Sequence, residues 1–192
     1  MPSPVGHGLA AVALHALASR GREELLDARR AGLLVAAALL PDVDLLFRFV
    51  DGRNHHQMQT HGIGCAVLAG LAAWALAHVR RWPGAGRVGV MAGLAWASHI
   101  ALDYLGRDTA PPIGLMALWP FSSGFYKFPW PLFLDIGRTF TWATAVHDLV
   151  AVAWETLVLL PIAALCTCPS GAMMNDTRTR PSRSGRVRSV VS

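Results

Sequence analysis

The sequence predicts an all-α protein: a multi-pass membrane helical bundle of about four to five helices, the first two forming a short or partly inserted hairpin. Three observations carry this. Only 15% of the 192 residues are charged and 53% are hydrophobic, whereas a soluble domain is about a quarter charged; mean hydropathy is +0.38. The apolar residues gather into runs rich in Ala, Leu, Val and Gly, which suits closely packed membrane helices. No period-two alternation lasts long enough for strands.

The first run, about Val5–Ser19, is short against the roughly 20 residues a spanning helix needs. No basic segment precedes "VGHGLAAVALHALA", and His7 interrupts it, so it does not read as a cleaved signal peptide. The second, about Ala31–Val50, carries Pro41, Asp42 and Asp44 in its later half. The third, about Ile63–Val79, has Thr60 placed as an N-cap. "RRWPGAGR" is a tight Pro/Gly turn into the fourth, about Val88–Leu105. The fifth is about Thr141–Cys166.

Between the fourth and fifth lies a segment with five prolines and with Trp119, Tyr126 and Trp130. Long helices are excluded there, and the aromatics predict a loop at the bilayer interface over residues 106–140. These elements make one membrane-embedded domain, residues 1–168, followed by a disordered basic tail, 169–192. Cys65, Cys166 and Cys168 form no CxxC pair and read as small apolar helix residues, not as a disulfide framework or thiolate site.

The net charge of +5 raises the question of nucleic acid, but the basic residues sit between apolar runs or in the tail, where no aromatics interleave them. No nucleic-acid partner is expected; membrane lipids are. With five crossings, twelve of the 17 Lys and Arg fall on one side: Arg20, Arg22, Arg29, Arg30, Arg80, Arg81, Arg87 and five in the tail. That side is expected to be cytoplasmic.

The same assignment puts His7, Asp42, Asp44, His56, His61, His99 and Asp103 at the opposite, non-cytoplasmic face. Ionisable groups near hydrocarbon are costly unless neutralised. His99 and Asp103, spaced i, i+4 in "HIALD", share a helix face. Pro41 can open a helix or kink one; if the stretch after it is non-helical, Asp42 and Asp44 point the same way. His56 and His61 converge if a loop enters the helix near Thr60, with His55 only a neighbour. Mixed imidazole and carboxylate donors of this kind suit a divalent metal, Zn, Mn or Fe, at one or two sites. Asp42 or Asp44 is the candidate catalytic base where it is not a ligand. The same donors would serve a non-enzymatic protein that binds or conducts a metal, with Asp148 and Glu155 lining a path; the bland reading is interhelical hydrogen bonding alone.

Taken together these pieces resemble the YdjM-like family of bacterial membrane-bound metal-dependent hydrolases over about residues 4 to 125. Gly6-His7 matches its short "GH" segment, Leu40-Pro41-Asp42-Val43-Asp44 its "LPDxD", and His56-Gln57-Met58-Gln59-Thr60-His61-Gly62 its "HRxxTHS". His99-Ile100-Ala101-Leu102-Asp103 matches "HxxLD", and Trp119-Pro120-Phe121-Ser122 matches "WPFS". Gln57 stands where the motif has Arg, and Gly62 where it has Ser. The resemblance implies a helical inner-membrane protein with a hydrolase-type metal site made of those His and Asp residues. The substrate would be a small or lipid-like molecule, such as a phosphoester.

Overall fold

The computed structural model describes residues 1–109, 111–137 and 139–167; the basic tail, Cys168 and Arg138 lie outside the described residues. Helix α1, Pro4–Ala18, opens on Pro4 with the Ser3 hydroxyl accepting from the Gly6 N–H. The short α2, Arg22–Leu25, turns the chain. Helix α3, Ala28–Leu39, starts where the Asp27 carboxylate accepts from the Arg29 and Arg30 N–H groups. These helices pack as a hairpin.

The second apolar run is not one helix. Proline lacks the N–H that an α-helix would bond at that point, and from Leu40 to Phe47 the chain winds as a 3-10 helix. That is long for this conformation, which rarely exceeds three or four residues. One α-turn, α4 at Arg48–Asp51, follows and ends on Gly52 in the left-handed region. The pair Asp42 and Asp44 therefore lies in a tight helix, the helical one of the two outcomes that Pro41 leaves open.

Helix α5 spans Ile63–Val79 and α6 spans Ala85–Leu105, joined by the expected turn, with Arg81 at φ 53° and Gly84 at φ 72°. They approach closely because small residues line the contact. A Cβ on Gly89 would lie 2.6 Å from Trp74 Cβ and 2.8 Å from the Gly70 carbonyl; one on Gly93 would lie 3.1 Å from the Ala66 carbonyl. Gly89 and Gly93, four apart, are the small-xxx-small spacing of membrane helix pairs. Helix α7, Trp142–Thr167, runs along α1. Its buried Glu155 accepts from the Ser3 N–H at 2.8 Å and from the Ser3 hydroxyl.

Helices α6 and α7 are long and apolar enough to cross a membrane; α1 and α5 are apolar but shorter. The core is thin and built of small residues: Ala11, Leu34, Ala38 and Ala95 in one cluster, and Ala66, Trp96, Ile100 and Leu115 in another. Large apolar side chains instead cover the outside, among them Val67, Leu71 and Trp74 of α5 and Leu149, Leu157 and Leu165 of α7. Exposed apolar surface on this scale marks a molecule that meets something other than water.

Among the described residues the 106–140 segment holds no helix. It is a folded loop with two isolated bridges, Gly106 with Phe133 and Leu115 with Tyr126. Helix α5 has no side-chain cap. The loop supplies one: the Ala117 and Trp119 carbonyls accept from the Ile63 and Gly64 N–H groups at 2.9 and 2.8 Å. This satisfies donors that a helix start leaves open, and it pins the loop over the end of α5 where His61 sits.

Candidate metal centre

Helix direction decides what meets. The site ends are the start of α1, the end of α3, the start of α5 and the last two turns of α6. All seven singled-out residues come together there. His7, Asp44, His56, His61, His99 and Asp103 are buried, while the Asp42 side chain is 24% exposed.

Four donor atoms enclose one point. Asp42 Oδ1 lies 3.5 Å from the Nε2 atoms of both His61 and His99. Asp103 Oδ2 lies 3.2 Å from His61 Nε2 and 3.0 Å from His99 Nε2, and those nitrogens are 3.1 Å apart. Donors held about 2.0–2.1 Å from a tetrahedral centre stand about 3.3–3.4 Å from each other, so these edges fit a small divalent ion. Asp42 Oδ1 and both Asp103 oxygens are buried and make no hydrogen bond. Their close neighbours are the His7, His61 and His99 nitrogens at 3.0–3.5 Å, and a divalent cation among these donors could take the place of the imidazole protons. The set Asp42, His61, His99 and Asp103 could therefore hold a metal ion.

The outer contacts set which nitrogen faces inward. His99 Nδ1 donates to the Ala38 carbonyl at 2.7 Å, which leaves its Nε2 lone pair for the centre. His61 Nδ1 faces Asp44 Oδ2 at 3.2 Å, on the ring edge opposite Asp42. Asp42 and Asp44 thus straddle one imidazole. Thr60 donates its hydroxyl to Asp44 Oδ2 at 2.6 Å. It does not cap α5 as its position suggested, because the helix starts later, at Ile63, with Gly62 in the N-cap position.

Asp44, His56 and His61 form a second group whose donor atoms lie within 4.8 Å of one another. It is already paired internally: Asp44 Oδ1 is 2.8 Å from His56 Nδ1. His7 belongs to neither group. Its ring stacks on His99 at 3.8 Å, and its Nε2 stands 3.5 Å from Asp103 Oδ1. His55 pairs with Asp51 at the surface, away from the cluster.

Burial disfavours the His61 imidazolium, but the carboxylates of Asp103, Asp42 and Asp44 outweigh it and hold its pKa well above 6.5. Burial likewise pushes the Asp42 carboxyl up, and the His61 and His99 imidazoles more than reverse this, leaving it well below the usual carboxylate range. Asp44 behaves similarly: burial raises it, His56, His61 and Thr60 lower it, and it rests at about 2.

Three participants escaped the sequence reading. The Ala38 carbonyl carries no sequence signal. Thr60 lies inside the "HQMQTH" stretch but suggested a cap. Met1 Sδ approaches His56 Nε2 at 3.0 Å, and nothing in its position indicates that. Gln57 is buried with a left-handed backbone, φ 66°, and its Nε2 makes no hydrogen bond.

Fold and site together define a helical membrane protein with a buried imidazole and carboxylate cluster at one end of its bundle. The family model described as YdjM inner membrane protein matches residues 1–177, and the chain belongs to that family. No curated protein and no solved structure matches it.

Proposed function

We propose that this chain is a metal-dependent hydrolase of the inner membrane, with Asp42, His61, His99 and Asp103 as metal ligands and a phosphoester or lipid-like molecule as substrate. The observation that carries this is the buried four-donor group, two imidazole nitrogens and two carboxylate oxygens at edges of 3.0–3.5 Å. A bound ion would lower the pKa of a nearby water and stabilise charge on a substrate oxygen.

The chain's own residues divide the remaining work. Asp42 has the only appreciable solvent exposure of the seven, so substrate and water enter past it. Asp44 is a positioning residue, because its oxygens are taken by His56, His61 and Thr60. His7, stacked on His99 with its Nε2 3.5 Å from Asp103 Oδ1, is a second positioning residue that steadies one ligand ring and one ligand carboxylate. The conducting alternative finds less support. Asp148 and Glu155, its expected path, are occupied by the Gly137 N–H and by Ser3.

Metal content of the detergent-purified protein tests the reading, beside a His61→Ala/Asp103→Ala variant. About one or two equivalents of Zn, Mn or Fe, lost in the variant, are expected, with hydrolysis of phosphodiester or lipid ester probes following metal occupancy. No metal in either protein after reconstitution would overturn it.

A further inference from the structure

The end of the bundle away from the metal centre holds a cleft of about 620 Å³ between the α1–α3 turn and the α5–α6 turn. Its size falls within the range of small-molecule sites, about 300–1,000 Å³. Four guanidinium groups line it: Arg20, Arg29, Arg30 and Arg87. Two carboxylates oppose them. Glu24 takes Arg87 at 2.9 Å and Arg30 at 3.1 Å, and Asp27 takes Arg30 at 3.1 Å. Arg30 and Arg87 are thereby fixed in place. The guanidinium groups of Arg20 and Arg29 make no ion pair or hydrogen bond among the described residues, so the cleft keeps a surplus of positive charge.

The deeper wall is apolar, formed by Leu33, Leu34, Val88 and Met91. Trp82, 42% exposed, stands at the rim, the position aromatic side chains favour at a membrane interface. A basic mouth over an apolar wall, in a protein of the inner membrane, complements a molecule with a phosphate at one end and hydrocarbon at the other. Basic pockets between membrane helices take anionic lipid headgroups in this way, and arginine suits phosphate because its planar fork donates two bonds at once.

We propose that this cleft binds the headgroup of an anionic phospholipid, the phosphate seated between Arg20 and Arg29 and one acyl chain along Leu33, Val88 and Met91. The site is independent of the metal centre and of the reading given to it.

Native mass spectrometry of the full chain in detergent tests this, with phosphatidylglycerol and phosphatidylcholine titrated separately. Phosphatidylglycerol should be retained at least about tenfold better, and Arg20→Ala/Arg29→Ala should reduce that retention by about tenfold. Phosphatidylcholine adducts and the helical circular dichroism should stay the same in the variant, which shows that the fold survives. Arg20→Lys/Arg29→Lys should keep only part of the binding, since lysine retains the charge but not the paired donors. Equal retention of the two lipids, or undiminished phosphatidylglycerol in the Ala variant, would overturn the proposal. So would displacement of the lipid by millimolar inorganic phosphate, which would assign the cleft to a soluble anion.

Discussion

Asp44 Oδ2 lies 3.2 Å from His61 Nδ1, while the other nitrogen of the same ring faces Asp42, His99 and Asp103. A carboxylate behind a histidine fixes its tautomer and raises its strength as a ligand. Asp44→Asn is expected to weaken metal affinity by about 10–100-fold without abolishing it, whereas Asp103→Ala should abolish it. Competition against a chelator of known affinity distinguishes the two.

His61 also sets a pH dependence. Its pKa in the folded, metal-free protein is raised well above 6.5. A histidine raised by folding contributes stability fully below its unfolded value, and the contribution is lost as pH rises through the folded value. The thermal midpoint of metal-stripped protein should therefore fall as pH is raised above neutrality. Metal-loaded protein should behave oppositely, because the ion needs the deprotonated ring. Melting curves of both forms across pH 6 to about 10 check this, and parallel curves would contradict it.

At the basic end, hydrogen bonding from Arg87 and from the Arg20 backbone holds the Glu24 carboxyl at about 2, against an ordinary 4.5. A depressed carboxyl contributes stability above its unfolded pKa, and that is lost as pH falls through the folded one. Glu24→Gln should melt below the parent protein at neutral pH, and the gap should close between pH 4.5 and about 2. High salt should narrow the gap as well, since the groups face solvent.

Gly89→Ala places a methyl group 2.6 Å from Trp74 Cβ. The α5–α6 pair must separate to admit it, at a cost of about 1–3 kcal/mol. Because His61 precedes α5 and His99 lies on α6, metal affinity should drop along with the melting temperature. Gly86→Ala, on the same helix but with open space around it, should change neither.

Much of this molecule is legible in its sequence. The bounds of α5 and α7 and the turn before α6 follow from hydropathy and from Pro/Gly placement. The seven site residues stand out because ionisable groups are rare in apolar runs. The 3-10 course of Leu40–Phe47 is less legible: Pro41 announces a break, but not which helix follows. Thr60 misleads because its local position suits a cap, while the chain makes a separate 3-10 turn at Gln59–His61 and α5 starts from Gly62.

By itself the sequence determined the class: helices for a membrane, an imidazole and carboxylate end, and a basic end. These depend on composition and on spacing along one chain, where side-chain periodicity and hydropathy act locally. Tertiary structure alone decided which atoms face one another. The separation of His61 from His99, the sharing of one ring between Asp42 and Asp44, the Ala38 carbonyl behind His99 and the loop carbonyls over α5 all depend on helix approach. For His61 and His99 that approach is set by the small residues where α5 and α6 meet, and all of these distances lie beyond the reach of any one segment's periodicity.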